Sequence, residues 1–233
     1  MRFIRCCITV VLLAFVLNAE ANENRPGWRL GVGLSPYQFQ LEQEGELGED
    51  TYSSTVLSSY RFLVQKQNEG WIWNNELNLS FLNFTNGTEE SIPLYDFHTG
   101  FQWNGIIGGF EASKNILLND TGDTTKPRDI RGQWLALGYR YTPKDEYWRA
   151  FAKLSLLLDS SVSGESVSTV SGHRLIMGFE QIGVFRGFFL EKYSWTLMPY
   201  LDFKTWDIKL KSGDSADLQF LEYGLVAGIN RLF

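Results

Sequence analysis

Apolar and polar residues alternate with a period of two over most of this chain, the spacing of a β-strand and not of a helix. The pattern is clearest at the end, where Leu221, Tyr223, Leu225, Ala227, Ile229 and Phe233 share one face and Glu222, Gly224, Val226, Gly228, Asn230 and Leu232 the other. Trp28, Leu30, Val32 and Leu34 open the series, with Pro36 expected at a bulge or at the strand's upper end. Further strands are predicted around Tyr60, around Trp73 to Phe81, around Tyr95 to Trp103 and from Ile106 to Ala112. The remainder centre on Leu135 to Tyr141, Trp148 to Leu158, Leu175 to Phe179 and Trp195 to Phe203. Between Ile182 and Ser194 the alternation is lost.

Polar segments punctuate the strands. Glu42 to Asp50, Thr85 to Ser91, Ile116 to Asp129, Asp159 to Ser168 and the stretch around Ser212-Gly213-Asp214 are expected to be loops. Shorter turns separate the other pairs. Asn104-Gly105 between two alternating segments is a type I′ hairpin signal, because that turn needs positive φ at both central positions. It sets a register in which Trp103 faces Ile106 on the outer side and His98 faces Glu111 on the inner side. The count is about ten strands, with eight or twelve open as alternatives because of the Ile182 to Ser194 segment.

A closing amphipathic strand that ends in phenylalanine resembles the C-terminal signature of Gram-negative outer-membrane β-barrels. Arg231 departs from that signature, which usually has an apolar or aromatic residue two before the end. The resemblance implies an all-β, transmembrane, antiparallel up-and-down barrel whose last strand is read by an assembly machinery, here through Tyr223, Leu225, Ile229 and Phe233. The start of the chain fits export. Arg2 and Arg5, the apolar run Ile8 to Leu17 and Ala19-Glu20-Ala21 read as a signal peptide cleaved after Ala21, leaving residues 22–233 as one barrel domain. The apolar run is too short for a spanning helix, which needs about 20 residues.

Composition agrees with this picture. Cys6 and Cys7 both precede the apolar run, so the exported part has no cysteine. Subtracting Arg2, Arg5 and Glu20 from 21 basic and 27 acidic residues leaves 19 and 26, a net charge of −7 that argues against a nucleic-acid partner. Aromatic residues make up 15% of the chain, and Trp28, Tyr60, Phe62, Trp71, Trp73, Trp103, Tyr139, Tyr141, Trp148 and Phe233 gather at the strand ends that carry the short turns. Amphipathic rings favour the headgroup region, so this is the girdle expected at the periplasmic interface.

If the apolar face meets lipid, the other face fills the lumen. It carries Arg29, Arg61, Glu76, Asp96, His98, Glu111, Arg140, Arg149, Lys153, Arg174, Glu180, Asp202, Lys204 and Glu222, with signs nearly balanced. Charges in a narrow barrel are tolerable only when paired or hydrated, so a salt-bridged network that largely plugs the lumen is expected. Asp96, His98 and Glu111 are the one set with the makings of a general base, a carboxylate across the ladder from an imidazole. Their depth inside the lumen, with no serine beside the pair in that hairpin, favours a polar network over catalysis. Gly213-Asp214-Ser215 is most simply a turn, and Asp120 and Asp123 lack the spacing of a calcium loop. No cofactor or metal motif is present in the sequence.

These readings converge on a small integral outer-membrane barrel with a structural, adhesive or envelope-protective role. Two alternatives are a narrow channel for small solutes and an outer-membrane enzyme acting on lipids or peptides. Omptin proteases also have ten strands, but they are longer above the membrane, and no residues of this chain are matched to their acidic and histidine active-site pairs. The class implies contact with outer-membrane lipid and lipopolysaccharide, periplasmic chaperones and the barrel-assembly machinery as partners.

Overall fold

The computed structural model describes residues 26–46, 49–54, 56–85, 89–118, 128–143, 148–164, 166–184 and 193–233. The signal-peptide reading, Asp120 and Asp123 lie outside these residues. Twelve strands form one closed antiparallel sheet: β1 (Gly27–Gly45), β2 (Asp50–Ser53), β3 (Leu57–Asn68), β4 (Trp71–Thr85), β5 (Glu89–Trp103), β6 (Ile106–Leu117), β7 (Arg128–Tyr141), β8 (Trp148–Val162), β9 (Val167–Ser171), β10 (His173–Val184), β11 (Tyr193–Leu210) and β12 (Ser215–Leu232). Ten of them build the wall. The other two, β2 and β9, are short segments that pair only with β1 and β11 respectively. The barrel closes twice over in sequence terms, β12 against β1 and β10 against both β8 and β11. At the seam of the two termini the Phe233 amide donates to the Trp28 carbonyl at 2.8 Å.

The Asn104-Gly105 turn has φ of 47° and 83°, and the ladder it starts pairs Trp103 with Ile106 and His98 with Glu111. Once that parity is set, it holds along the strand. Leu30, Val32, Leu34, Phe62, Phe110, Leu135, Leu137, Leu154 and Ile229 are exposed on the outer wall, and Leu137 is 65% exposed. Next to the short turns this belt ends in rings, with Trp28 edge-on to Trp73 at 6.3 Å and Trp148 stacked on Phe179 at 5.3 Å. Arg231 lies 4.7 Å above the Phe233 ring and 5.6 Å above Tyr193, which shows how a cation is accommodated near the end of the closing strand.

The strands run much further than the apolar alternation suggested. β1 has 19 residues, about 60 Å at some 3.3 Å per residue, whereas crossing a bilayer takes about 9–11. Pro36 is neither a bulge nor an end, because the β1 register with β12 and β3 continues through it. Most of the segments expected to be loops are instead strand at their flanks: Glu42 to Gly45, Ile116 and Leu117, and Asp159 to Val162 belong to β1, β6 and β8. In these outer parts the apolar residues change face. Along β1, Leu30, Val32 and Leu34 point out, and Tyr37, Phe39 and Leu41 are buried inside while Gln40, Glu42 and Glu44 are exposed. Along β12, Ala216, Leu218 and Phe220 are buried, and Asp217 and Gln219 are exposed.

The wall also divides there. Among the described residues, no ladder joins β2 to β4 or β9 to β8, so β9, β11, β12, β1 and β2 make one sheet and the outer parts of β4 to β8 make another. The two face each other across a dry core that includes Leu41, Leu82, Ile116, Leu117, Ile130, Trp134, Trp206, Leu210 and Leu218. Trp134 of β7 and Trp206 of β11 meet edge to face at 4.8 Å, and both are fully buried. Gln43 braces the sheets, its amide donating to the Leu118 carbonyl and accepting from the Leu118 amide, both at 3.0 Å. The barrel is thus a two-sheet sandwich at one end and an inside-out tube at the other.

A charged residue on the lipid face of such a tube should cost about 2–4 kcal/mol at mid-depth and about 0–1 kcal/mol beyond the bilayer. Leu137→Arg is therefore expected to destabilise strongly, and Gln133→Arg, two outward positions further along the same strand, hardly at all. Urea titration of folding into phosphatidylcholine vesicles measures both, and equal costs would contradict the belt.

Candidate functional site

The lumen below the dry core holds the chain's concentrated chemistry, because the inward parity there carries charged residues on β3, β4, β5, β6, β7, β8, β10, β11 and β12. Neighbouring strands put their inward side chains about 5 Å apart, so each charge meets its partner across one ladder. Glu111 is a buried acid, its side chain only 1% exposed. It sits beside the Lys153 ammonium, accepts a 2.9 Å hydrogen bond from the Ser155 hydroxyl, and has Arg174 at 3.4 Å and the His98 Nδ1 at 3.4 Å.

Arg174 is the hub. Its Nε donates to Asp202 Oδ1 at 3.0 Å, Nη2 to Asp202 Oδ2 at 2.5 Å and Nη1 to Asp96 Oδ1 at 2.9 Å. The planar fork of arginine suits this, since one guanidinium serves carboxylates on two strands and reaches toward a third. Lys204 extends the cluster, with its ammonium 3.2 Å from Asp96, 3.2 Å from Asp202 and 4.0 Å from Glu222. Asp96, Asp202 and Glu222 come close enough together, within 4.8 Å, to suggest a cation site. The Lys204 ammonium already stands among them, so the cation this acid group holds is a side chain. The Tyr200 hydroxyl caps the cluster by donating to Glu222 at 2.6 Å, and Ser35 donates to Tyr200 at 3.4 Å.

A second group lies nearer the short turns. Arg61 donates to Glu76 at 2.8 Å, and Asn78 donates to the other oxygen of the same carboxylate at 3.1 Å. Glu180 has Arg140 at 3.9 Å and Arg149 at 4.0 Å. Of the fourteen charged or ionisable residues that parity placed inward, thirteen lie in one of these two groups, and Arg29 is buried on β1. Ser155, Tyr200 and Ser35 join them as well. Their inward parity was readable, but a hydroxyl carries no charge pattern to single it out.

A cavity of about 150 Å³ runs alongside both groups. Its lining extends from Phe39, Leu94 and Phe220 at the edge of the dry core to Ile72, the second residue of β4, and Gln102, the last but one of β5. Glycines make room for the long side chains around it. A Cβ on Gly178 would meet the Phe151 ring at 2.7 Å, and Gly100 and Gly109 pair across the ladder beneath the His98 ring.

The order of contacts bears on catalysis. Nucleophilic hydroxyls are activated by an imidazole that a carboxylate orients. Here Glu111 stands between, accepting from Ser155 on one side and facing His98 on the other, so the imidazole does not reach the hydroxyl. Asp96 is occupied by Arg174 and Lys204. The geometry is that of a charge-compensated network.

Because Asp202 is only 2% exposed, removing Arg174 should leave its charge with Lys204 as the remaining partner and take away the bidentate one. Breaking a buried pair from one side costs about 3–5 kcal/mol. Arg174→Met is therefore expected to lower unfolding stability by that order, and Arg174→Met with Asp202→Asn to recover part of it. A double-mutant cycle from denaturant titrations reads the coupling, and additive losses would show that Arg174 does not compensate Asp202.

No family model matches the chain, and no curated protein matches it. Among solved structures, the chain is similar to the outer-membrane protease OmpT from Escherichia coli, at 8% identity over 89% of this chain and 97% of that one, with a TM-score of 0.50. The toluene transporter TodX from Pseudomonas putida aligns at 9% identity over 95% and 92% with a TM-score of 0.34. The attachment invasion locus protein Ail of Yersinia pestis aligns at 10% over 88% and 99% with a TM-score of 0.30. The OmpT likeness shows a shared architecture: this chain has the fold of an outer-membrane β-barrel.

Proposed function

We propose that this chain is an integral outer-membrane protein, exported on residues 1–21 and cleaved after Ala21, whose barrel is closed to through-flow and serves a structural, adhesive or envelope-protective role. The observation that carries this reading is the dry core across the loop end, where Leu41, Trp134, Trp206 and Leu218 are fully buried between the two sheets. A channel for small solutes would need that core to part. An open path along the lower lumen alone leads nowhere. The apolar outer wall supports membrane insertion, with the short-turn end in the periplasm and the polar outer sandwich beyond the bilayer, next to lipopolysaccharide. An enzymatic role finds no support in the Ser155, Glu111 and His98 arrangement.

Tyr223, Leu225 and Ile229 lie on the outward parity of β12 and Phe233 directly follows the strand, and in this reading the four present the assembly signal to the barrel-assembly machinery after delivery by periplasmic chaperones. The protein inserted in planar lipid bilayers is expected to give no steady conductance; a reproducible ohmic step would overturn the closed reading. Deleting Phe233 is expected to reduce the folded, heat-modifiable fraction in the outer membrane several-fold. An unchanged gel shift would remove that residue from the signal.

A further inference from the structure

Three buried polar atoms that accept or donate no hydrogen bond share one corner of the lumen: Nε of Arg61, Oε1 of Gln65 and Oδ1 of Asn74. Gln65 and Asn74 are direct partners across the β3–β4 ladder, and Arg61 stands on β3 two inward positions away. All three line the cavity, together with Glu76 and Asn78. Gln65 is only 6% exposed. Native proteins seldom leave buried polar groups unmatched, and three unmatched groups on two adjacent strands, all facing one cavity, define a place where something else supplies the partners.

Charge decides the class of that partner. Arg61 is already neutralised by Glu76 at 2.8 Å, so the corner presents no net charge to an incoming molecule. A carboxylate would meet Glu76, and an ammonium would meet Arg61. On β3 and β4 the unmatched set is one donor beside two acceptors. A hydroxyl both donates and accepts, so two or three hydroxyls on one scaffold match it. Turned by half a rotation, the two amides would offer N–H groups instead, which an anion would prefer, but the Glu76 carboxylate beside them opposes an anion.

Size and the opposite wall narrow it further. A cavity of about 150 Å³ accepts one six-membered ring. Ile107, Phe151, Met198 and Val226 give it an apolar flank against which the C–H face of such a ring can rest. We propose that the lumen cavity binds a neutral, hydroxyl-bearing ring of monosaccharide size, held by Arg61, Gln65 and Asn74. The proposal rests on the closed-barrel reading only for its route, entry and exit at the short-turn end. Binding and conductance are measured separately, so either can fail without the other.

The test uses the full barrel, isotope-labelled and folded in a detergent without a sugar headgroup, with D-glucose as probe and benzoate as the anionic control. The side-chain amide signals of Gln65 and Asn74 are expected to shift and saturate with glucose and not with benzoate. Gln65→Ala should weaken glucose binding about tenfold, the loss of one hydrogen bond to a buried group. Gln133→Ala, on the exposed outer wall, should leave it unchanged. If Gln65→Ala does not fold, cross-relaxation between glucose protons and the Phe151 ring in the unaltered protein decides alone: its presence supports the site and its absence overturns it. Shifts that remain linear in glucose, shifts with benzoate only, or amides in contact with water alone at high glucose also overturn it.

Discussion

A β-strand commits each residue to one side of its sheet, and that commitment continues for as long as the pairing does. In this protein the strands outlast the environment they first enter. Along the short-turn half, the outer wall is the greasy one. Further along the same strands, the outer wall is polar and the inside is greasy. Where parity is kept, the chain follows this change by moving its apolar residues from one parity to the other. β1 does so between Leu34 and Tyr37, and β12 does so between Leu221 and Phe220. β8 takes another route: the register shift opposite Gln133 and Trp134 adds Leu158 as an extra residue, so inward Ser155 and Leu157 are followed by inward Ser160 and Val162.

The charged network sits at the junction of the two regimes, and its position follows from what lies above it. A dry core tolerates no ions, and a lumen narrowed by side chains holds little water, so the acids just beneath the core must find cations from the protein itself. Arg174 and Lys204 supply them to Asp96, Glu111, Asp202 and Glu222. The clustering of four acids around two cations, with Lys153 at the side, also ties β5, β6, β8, β10, β11 and β12 together across the barrel axis, where no backbone hydrogen bond reaches.

Much of this was legible from residue order. The closing strand, the Asn104-Gly105 turn, the ring-bearing strand ends and the inward placement of the charged residues all follow from a period of two combined with turn chemistry. The dry core was not legible. Phe39, Leu41, Ile208 and Leu210 lie among Glu42, Glu44, Asp207 and Lys209, and a strand with its polar residues outward has the same local composition as a loop. Strands β2 and β9 are only four and five residues long, below the length at which alternation can be recognised. Trp134 and Trp206 come together from positions 72 residues apart, a meeting that only the closed sheet creates. The hydroxyls of Ser155 and Tyr200 were placed inward by parity, but their partners are set by which strands become neighbours across the lumen.

The parting of the wall into two sheets has a consequence for how the molecule floats. Where β2 and β4 lie apart, and again where β9 and β8 lie apart, main-chain amides and carbonyls along the split have no ladder partner among the described residues. Hydrocarbon cannot satisfy such groups, and water can. The start of the split, near Ser80 on one side and Leu157 on the other, is therefore a waterline drawn in the backbone itself. It limits how deep the barrel can settle before bare peptide groups touch acyl chains, whatever the side chains would tolerate.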